Sequence, residues 1–333
     1  MMSPDFVASN RPVASVSLDL DNLWSYMKTH GEEGWKEYPS YLPVFVPIVL
    51  DFLRAHDAEI TFFVVGQDVI RPENREPLEM IHAAGHEFGN HSFNHEPWMQ
   101  DYDASAIARE IGDTHAALVD TLGVEPVGFR GPGFCHSPEL IAQLIGMGYS
   151  FDASILPSFI GPLARLYYFR STSLADDERE ERGNLFGSVS DALQPLTPFE
   201  WEMDSGRILE IPVTTIPMIR SPFHLSYLLW LSRFSETLAL AYFDLALALC
   251  RLRCVEPSFL LHPLDFLGKE DVSQLAFFPG MDMPRDKKVR LASKVFDRLR
   301  AHFEIVSMSR HVQQFNSRIE VPRRISLHRD VSA

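Results

Sequence analysis

The first half of the chain alternates strand-like and helix-like segments, and no linker separates them. VASVSLDLD and AEITFFVVG are short, mainly apolar runs typical of buried strands, whereas LPVFVPIVLDFLRAH and NREPLEMIHAAG have the apolar spacing of amphipathic helices, and the alternation continues through HEFGNH. Repeated βα units of this kind predict an α/β fold with a parallel sheet, either closed as a barrel or open and doubly wound. Both arrangements place functional loops at the carboxyl ends of the strands.

The pattern fits one catalytic domain over residues 13–312. Residues 1–12 form an N-terminal extension and residues 313–333 a polar tail that we expect to be loosely held. Residues 161–207 contain the acidic run DDEREER, several Pro and Gly residues and little periodicity, so we expect an irregular surface insertion there.

The most apolar part of the domain is the stretch 221–254, which is rich in Leu, Phe, Tyr and Trp. Arg233, Glu236 and Asp244 interrupt it, so it lacks the roughly 18 unbroken apolar residues of a membrane-spanning helix. Two interpretations stay open. The stretch is either a helix pair buried against the barrel, or a helical surface that rests on a membrane.

Charge and cysteine content restrict the partners and the compartment. The formal net charge is −15 and Lys and Arg are not clustered, so we expect no nucleic-acid partner. The three cysteines show no disulfide framework. The N-terminus lacks a basic region followed by an apolar one, so no secretory signal is predicted. We therefore expect a cytoplasmic protein, with peripheral contact to the inner face of the membrane as an option.

Asp19 and Asp21 lie two residues apart at the end of the first predicted strand, so their carboxylates project from the same face of the sheet. Two such carboxylates repel each other unless positive charge lies near them. The alternative is that one caps a helix and the other is a solvated loop residue. A second polar cluster is needed to choose between these interpretations.

That second cluster is the pair His91 and His95 in GHEFGNHSFNH, which share one side if a helical turn begins near Asn90. Two histidines and a carboxylate are a common zinc-binding set that leaves positions open for water and substrate. A His pair at this spacing is weak evidence alone, and no HExxH motif is present. An Asp pair, an Arg in a Gly-Pro loop and a late His also follow successive strands, which favours a site.

Five segments in this order and spacing resemble the polysaccharide deacetylases, the NodB-homology group of carbohydrate esterase family 4. They are SLDLDN, ITFFVVG, GHEFGNHSFNH, GFRGPGF and FLLHPLDF. The resemblance covers most of residues 13–155 and the strand before His262, and it implies a distorted (β/α) barrel of about seven strands. The spacing of the two aspartates by Leu20 is similar to the branch that contains lipid-linked aminoarabinose deformylases.

The resemblance also implies roles for individual residues. Asp19 would be the catalytic base, oriented by Arg130, and His262 the general acid. Asp21, His91 and His95 would hold a divalent metal, most simply zinc, with cobalt, nickel or manganese as alternatives. The loop after Arg130 contains Pro132, and its Gly133 amide would donate to the oxyanion.

Substrate contacts are less well defined. The Asp-rich motif with Trp that many family members carry is not evident, and Asp152 in GYSFDAS stands in its place as a supporting or substrate-binding residue. Trp24, Tyr26, Trp35 and Tyr38 either stack on sugar faces or pack in the interior. Pro132 completes the predicted substrate contacts. Asp265 either orients a neighbouring cation or is a solvated carboxylate at a strand exit, and His224 is expected to be a surface or packing residue.

These residues predict a metal-dependent amide hydrolase that removes an acetyl or formyl group from an amino sugar. A cytoplasmic place favours a small or lipid-linked glycoside over an extracellular polymer. Two alternatives stay open: hydrolysis of a non-sugar linear or cyclic amide, and a non-catalytic carbohydrate-binding protein of the same fold.

Overall fold

The structure is a computed structural model that describes residues 11–159, 191–276, 278, 280–319 and 321–327. Most of the predicted N-terminal extension and of the 161–207 insertion therefore lie outside the described residues. Ten strands are described: Val13–Asp19 (β1), Thr61–Val64 (β2), Glu87–Asn90 (β3), Gly128–Phe129 (β4), Phe151–Asp152 (β5), Phe199–Met203 (β6), Gly206–Glu210 (β7), Ser258–Leu261 (β8), Glu304–Val306 (β9) and Arg324–Ser326 (β10).

The helices of the described part lie between and after these strands. They are Leu23–His30 (α1), Leu42–Ala55 (α2), Gly66–Val69 (α3), Pro72–Ala83 (α4), Ala104–Leu122 (α5), Pro138–Gly146 (α6), Leu225–Ser232 (α7), Glu236–Leu252 (α8), Arg285–His302 (α9) and Met308–Arg318 (α10). Within these helices, none combines the length and the apolar character needed to cross a membrane.

The predicted barrel is confirmed. Strands β7, β5, β4, β3, β2, β1 and β8 are parallel neighbours in that order, which gives the seven-stranded wall that was expected. The chain leaving β7 continues along β5, where Val213 N donates to Ile155 O at 2.8 Å. It then reaches β8, where Thr214 N donates to Ser258 O at 3.0 Å. These bonds join the two ends of the wall, so the barrel closes irregularly.

Three further strands extend the sheet beyond the seven-stranded wall. β9 pairs with β1, β6 pairs antiparallel with β7, and β10 pairs with β6. The expectation of irregular structure up to residue 207 is therefore wrong from Phe199 onward. Phe199 and Trp201 are buried while Glu200 and Glu202 are partly exposed, which is the period-two alternation of a strand.

The boundary at residue 312 is also wrong, because α10 runs across it. Met308, Val312 and Phe315 of α10 form an apolar cluster with Phe63 and Phe151 of the barrel strands. His311 of the same helix is buried, and its Nδ1 lies 2.8 Å from Ser15 Oγ. The helix therefore packs against the barrel, and this part of the predicted tail is held rather than loose.

The outer face of the wall packs against amphipathic helices. Val16 and Leu18 of β1 belong to the same buried cluster as Phe45 and Val49 of α2. Successive residues of a strand point to opposite faces, so Ser15, Ser17 and Asp19 lie on the inner face of the barrel. The inner face of β1 is thus polar from Ser15 onward and ends in a carboxylate.

The stretch 221–254 forms α7 and α8. It agrees in part with a helix pair buried against the barrel and in part with an exposed apolar helical surface. One face is buried, with Leu228 at 1% exposure and Phe243 and Leu247 at 0%. The other face exposes Trp230 by 50% and Phe234 by 72%. The stretch is therefore a helix pair against the barrel that also presents an apolar outer surface.

Candidate active site

The predicted site residues gather at the carboxyl ends of the parallel strands. Asp19 ends β1, and the preceding residue, Leu18, is paired with Leu261 of β8. Because the two strands are parallel, the next residues along them, Asp19 and His262, lie side by side. Arg130 directly follows β4, which is paired with β3 through Phe129 and Asn90. Residues that are far apart in the chain therefore meet at one end of the barrel.

Asp21, His91 and His95 form one compact group. A ligand atom from each lies within 4.8 Å of the other two, and all three residues are buried. Asp21 Oδ1 is 3.3 Å from His91 Nε2 and 2.8 Å from His95 Nε2. The structure thus brings together the carboxylate and the two imidazoles that the sequence singled out as metal ligands.

The donor atoms of this group fit a divalent metal. Within the described residues, Asp21 Oδ1 and His95 Nε2 are buried without an aligned hydrogen-bond partner, despite their short separation. Such orphaned polar atoms are costly unless an unseen water or ion satisfies them. His91 Nδ1 donates to the Arg130 carbonyl at 2.7 Å, which fixes the tautomer and leaves Nε2 with a lone pair toward Asp21. Two nitrogen ligands and one oxygen ligand are suited to zinc.

The electrostatics of the three ligands are mutually dependent. Burial alone would raise the pKa of Asp21, but the neighbouring imidazoles of His95 and His91 outweigh it and hold that pKa well below its usual value. Burial alone would lower the pKa of His91, but the neighbouring carboxylates of Asp21 and Asp19 raise it. The negative charge of Asp21 therefore favours positive charge on this group. Protonation of the imidazoles or a bound metal ion would supply it.

Asn90 fixes the start of the loop that carries His91. Its amide Nδ2 donates to Ile111 O at 2.9 Å and to Tyr149 Oη at 2.8 Å, while its Oδ1 accepts from Ser92 N at 2.9 Å. Ser92 in turn accepts from His95 N through its Oγ at 3.1 Å. Asn90 and Ser92 therefore act as turn and capping residues that aim the two histidines.

Glu110 of α5 holds the middle of the same loop. Its carboxylate accepts from Phe93 N at 2.9 Å, from Asn94 N at 2.8 Å and from Asn94 Nδ2 at 2.5 Å, and the residue is only 6% exposed. The loop needs this support because Ser92 and His95 have φ angles of 62° and 51°, a left-handed conformation that is costly for such residues.

Asp19 is held by Arg130, whose guanidinium is fully buried. Nη1 donates to Asp19 Oδ1 at 2.8 Å and to Ser17 Oγ at 2.9 Å, and Nε donates to Ala153 O at 2.9 Å. The guanidinium also lies over the Phe63 ring, 4.6 Å from its centroid. Arg130 therefore holds one oxygen of the Asp19 carboxylate in a fixed position at the carboxyl end of β1.

The loop after Arg130 has a backbone that requires glycine. Gly133 has a φ of 61°, and a Cβ placed there would lie 2.7 Å from Pro97 Cβ. Gly131 N donates to Ser154 Oγ at 2.8 Å, and Ser154 donates to Asp152 Oδ1 at 2.6 Å. The predicted substrate contact of Asp152 is wrong in this structure, because its side chain is 0% exposed. Asp152 supports the loop instead.

A second buried carboxyl group lies beside Asp152. Glu210 is hydrogen-bonded to Asp152, and it accepts from Ile155 N at 3.0 Å and from Trp201 Nε1 at 3.2 Å. Burial raises the pKa of both groups, and the charge of Asp152 raises that of Glu210 further. One proton shared between them relieves the repulsion of two adjacent carboxylates.

Of the aromatic residues after Asp21, two have clear positions. Trp24 is 0% exposed and donates through Nε1 to Asp68 Oδ1 at 2.9 Å, so the expectation that it contacts a sugar is wrong. Tyr26 is half-buried. Burial and then the nearby carboxylates of Asp21, Asp265 and Asp19 raise its pKa, so its hydroxyl stays protonated beside the site. Pro132 is buried at the start of the glycine loop, and its predicted substrate contact stays a prediction.

Asp68 is the centre of a buried network that supports Asp21. Its Oδ1 accepts from Asn22 at 2.7 Å, from Trp24 at 2.9 Å and from Asn74 at 3.0 Å. Burial raises the pKa of Asp68 to about 7, against the opposing hydrogen bonds of Asn22 and Trp24. Asn22 follows Asp21 directly, so this network fixes the backbone that presents the metal ligand.

His262 is partly exposed and lies beside a second histidine that sequence reasoning placed at the surface or in packing. His224 is 6% exposed, and its ring centroid is 6.0 Å from that of His262. Burial, and then the positive charges of His262 and Arg130, lower the pKa of His224 well below its usual value, so it is neutral. Asp265 is 2% exposed, so its interpretation as a solvated carboxylate is wrong.

The residues that sequence reasoning missed share one property. Glu110, Asp68, Glu210 and His224 lie on helices, strands or loops outside the motifs, and each is buried. One sign of such a residue is visible in the sequence: Glu110 is a charged residue on the mainly apolar, buried face of α5. Its partner could not be read from the sequence.

Comparison with known proteins agrees with this geometry. Residues 32–151 match the family model described as polysaccharide deacetylase. The peptidoglycan-N-acetylglucosamine deacetylase of Bacillus cereus is 45% identical over 91 residues, which cover 27% of this chain and 41% of that protein. Chitin deacetylase 1 of Cryptococcus neoformans is 37% identical over 89 residues, which cover 26% of this chain and 18% of that protein. The chain thus spans less than half of the length of these two relatives.

A solved structure extends the likeness to the whole barrel. A Mycobacterium smegmatis protein described with the polysaccharide deacetylases matches 97% of this chain and 99% of its own, with a TM-score of 0.56 and 17% sequence identity. At that identity the likeness shows the fold alone. The match of residues 32–151 to the family model confirms the resemblance to the polysaccharide deacetylases over that part of the chain. The aminoarabinose deformylase branch is not confirmed.

Replacement of one metal ligand tests the assignment of the site. In Asp21→Ala, His91→Ala and His95→Ala, we expect zinc affinity to fall by more than about 100-fold. Mutation of residues that only support metal ligands already lowers metal affinity by about 10–100-fold, and loss of a ligand should cost more. The measurement is zinc binding by competition with a chromophoric chelator. His302→Ala, at the exposed end of α9, is the control and should bind zinc as the wild type does. Unchanged zinc affinity in all three ligand variants would contradict the assignment.

Proposed function

We propose that this protein is a metal-dependent hydrolase that removes an N-acetyl group from an amino sugar and releases the free amine. The observation that carries the proposal is the group of Asp21, His91 and His95 within 4.8 Å of one another, next to the buried Asp19–Arg130 pair. A ligand group and a separate, oriented carboxylate are the two parts that hydrolysis of an unreactive amide requires. The names of the relatives support an N-acetylated sugar as substrate.

Asp21, His91 and His95 would hold the cation, for which we propose zinc. When bound, it would polarise the amide carbonyl and lower the pKa of a water molecule to roughly 7. Asp19 would accept a proton from that water, with Arg130 keeping its Oδ1 in place at 2.8 Å. The backbone N–H of Gly133 would donate to the developing oxyanion, which is worth about 3 kcal/mol at comparable sites.

His262 would donate a proton to the departing amine. The proposal is supported by the partial exposure of His262 and by the pairing of Leu18 with Leu261, the residues directly before Asp19 and His262. An imidazole is suited to this step because its ordinary pKa lies near neutrality. The half-buried Tyr26, whose hydroxyl stays protonated, would donate to a sugar or acyl oxygen.

The Asp19→Asn variant tests the catalytic role directly. We expect kcat for release of acetate from an N-acetylglucosamine oligomer to fall by about 10²–10⁴-fold, because the amide cannot accept the proton of water. Acetate is measured enzymatically, and the sugar product by mass spectrometry.

Asp51→Asn is the matched control, since the Asp51 side chain is 74% exposed and pairs only with Arg54 nearby on α2. Zinc binding should persist in Asp19→Asn, which shows that the variant is folded. A decrease of no more than a few-fold in the kcat of Asp19→Asn would contradict the proposal. So would a zinc-loaded wild-type protein that cleaves no N-acetyl or N-formyl sugar.

The site and an apolar surface are joined by the same helix pair, which supports a membrane-associated substrate. His224 and Ser226 lie at the start of α7, and the outer face of α7 and α8 exposes Trp230, Phe234 and Leu238, with Leu238 at 54%. The Trp230 and Phe234 rings pack together with centroids 5.2 Å apart. We propose that this surface lies on a membrane and that the substrate is a lipid-linked N-acyl sugar.

Vesicle binding tests this membrane proposal. In Phe234→Glu, association with vesicles that contain anionic lipid should fall more than about 10-fold, because burial of such a side chain contributes about 1.5–3 kcal/mol. Ile70→Glu is the control, since Ile70 is 50% exposed on another part of the barrel. Equal binding of both variants, or no binding by the wild type, would contradict membrane contact.

A further inference from the structure

A serine hydroxyl lies between the imidazole of His262 and a buried carboxylate. Ser226 Oγ is 3.3 Å from His262 Nδ1 and 2.7 Å from Asp265 Oδ1. The other carboxylate oxygen, Asp265 Oδ2, accepts from the backbone N–H of His262 at 2.9 Å. The three residues come from two places in the chain, the first turn of α7 and the turn that follows β8.

The direction of these hydrogen bonds follows from the donors available. Asp265 accepts from a backbone N–H on one oxygen, so the Ser226 hydroxyl donates its single hydrogen to the other. The lone pairs of Ser226 are then left to accept, and the partner within reach is His262 Nδ1. His262 therefore carries a hydrogen on Nδ1, and Nε2 is the nitrogen whose proton can change.

Both oxygens of the buried Asp265 accept hydrogen bonds, one from Ser226 and the other from the His262 backbone. Burial raises the pKa of Asp265, and the charge of His262, these hydrogen bonds and the charge of Lys288 reduce that rise. Lys288 is 2% exposed and donates to Leu264 O and Leu267 O, each at 2.7 Å. Lys288 thus supplies a counter-charge and also fixes the turn that carries Asp265.

We propose that Ser226 and Asp265 are positioning residues that hold His262 in the Nδ1–H tautomer and direct Nε2 toward the substrate nitrogen. The proposal rests on the function proposed above, in which His262 protonates the amine. As the C–N bond breaks, its electron pair stays on nitrogen, and the proton on His262 Nε2 transfers to that nitrogen. His262 is left neutral with Nδ1–H intact, while the proton of water resides on Asp19.

Among the side chains of the described residues, that of Ser226 is the one hydrogen-bonded to His262 Nδ1. His224 faces it from the start of α7 but is buried and neutral, and its ring is tilted by 57° relative to His262. Burial, and then charges that include those of Asp21 and Asp265, raise the pKa of Tyr26 of α1, so its hydroxyl stays protonated. A serine hydroxyl in this place explains how a fixed tautomer is maintained although no carboxylate oxygen contacts Nδ1 directly.

Leaving-group dependence tests the proposal in the zinc-loaded full chain. Ser226→Ala should lower kcat for an N-acetylglucosamine oligomer by about 10–100-fold. Hydrolysis of an aryl acetate, whose leaving group needs no proton, should change less than about two-fold. Ser226→Thr keeps the hydroxyl and should recover most of the lost kcat. Ser232→Ala is the control, because Ser232 lies on the same helix and donates only to Leu229 O.

The tautomer itself is measured by ¹⁵N NMR of the histidine rings at a pH where His262 is neutral, with His262→Gln for assignment. The wild type should show Nδ1–H, and Ser226→Ala a mixture of tautomers. Equal loss on both substrates in Ser226→Ala, or an Nε2–H tautomer in the wild type, would overturn the proposal. If the protein cleaves neither substrate, the proposed function fails, and the NMR result still decides the tautomer.

Discussion

The buried guanidinium of Arg130 connects the strands on which the site depends. It binds Ser17 and Asp19 of β1 and the carbonyl of Ala153 after β5, and it lies over Phe63 of β2. The carbonyl of Arg130 accepts from His91, after β3. A buried cation costs several kcal/mol unless it is paired and hydrogen-bonded, so loss of Asp19 or Arg130 would disturb all of these strands. One residue therefore fixes both the candidate base and the tautomer of a metal ligand.

The two aspartates after β1 are kept apart electrostatically by different partners. Asp19 is paired with Arg130, whereas Asp21 faces the imidazoles of His91 and His95. Because their partners differ, two carboxylates only two residues apart in the chain have different electrostatic environments. The neighbouring loops are then fixed by buried carboxyl groups outside the candidate ligand group: Glu110 behind the histidine loop, Asp68 behind Asn22, and Asp152 with Glu210 behind the glycine loop.

The sequence was informative where a local pattern determines structure. Alternating βα units led to the parallel barrel, and polar residues directly after apolar strands led to Asp21, His91 and His95, which the structure brings together. Pattern failed where the outcome depends on distant partners. Whether Trp24 is exposed depends on Asp68, and the roles of Ser226 and Glu110 depend on helices that pack against the motif loops. Strand β6 was missed because its short alternation adjoins an acidic, Pro- and Gly-containing segment.

X-ray absorption spectroscopy of the zinc-loaded wild type tests the central claim most directly. Asp21, His91 and His95 predict one zinc per chain, with two imidazole nitrogens and further oxygen ligands at about 2.0–2.2 Å and no sulfur. The imidazole scattering should decrease in His95→Ala. A spectrum with sulfur at about 2.3 Å, or one without imidazole scattering, would place the metal elsewhere and contradict the account.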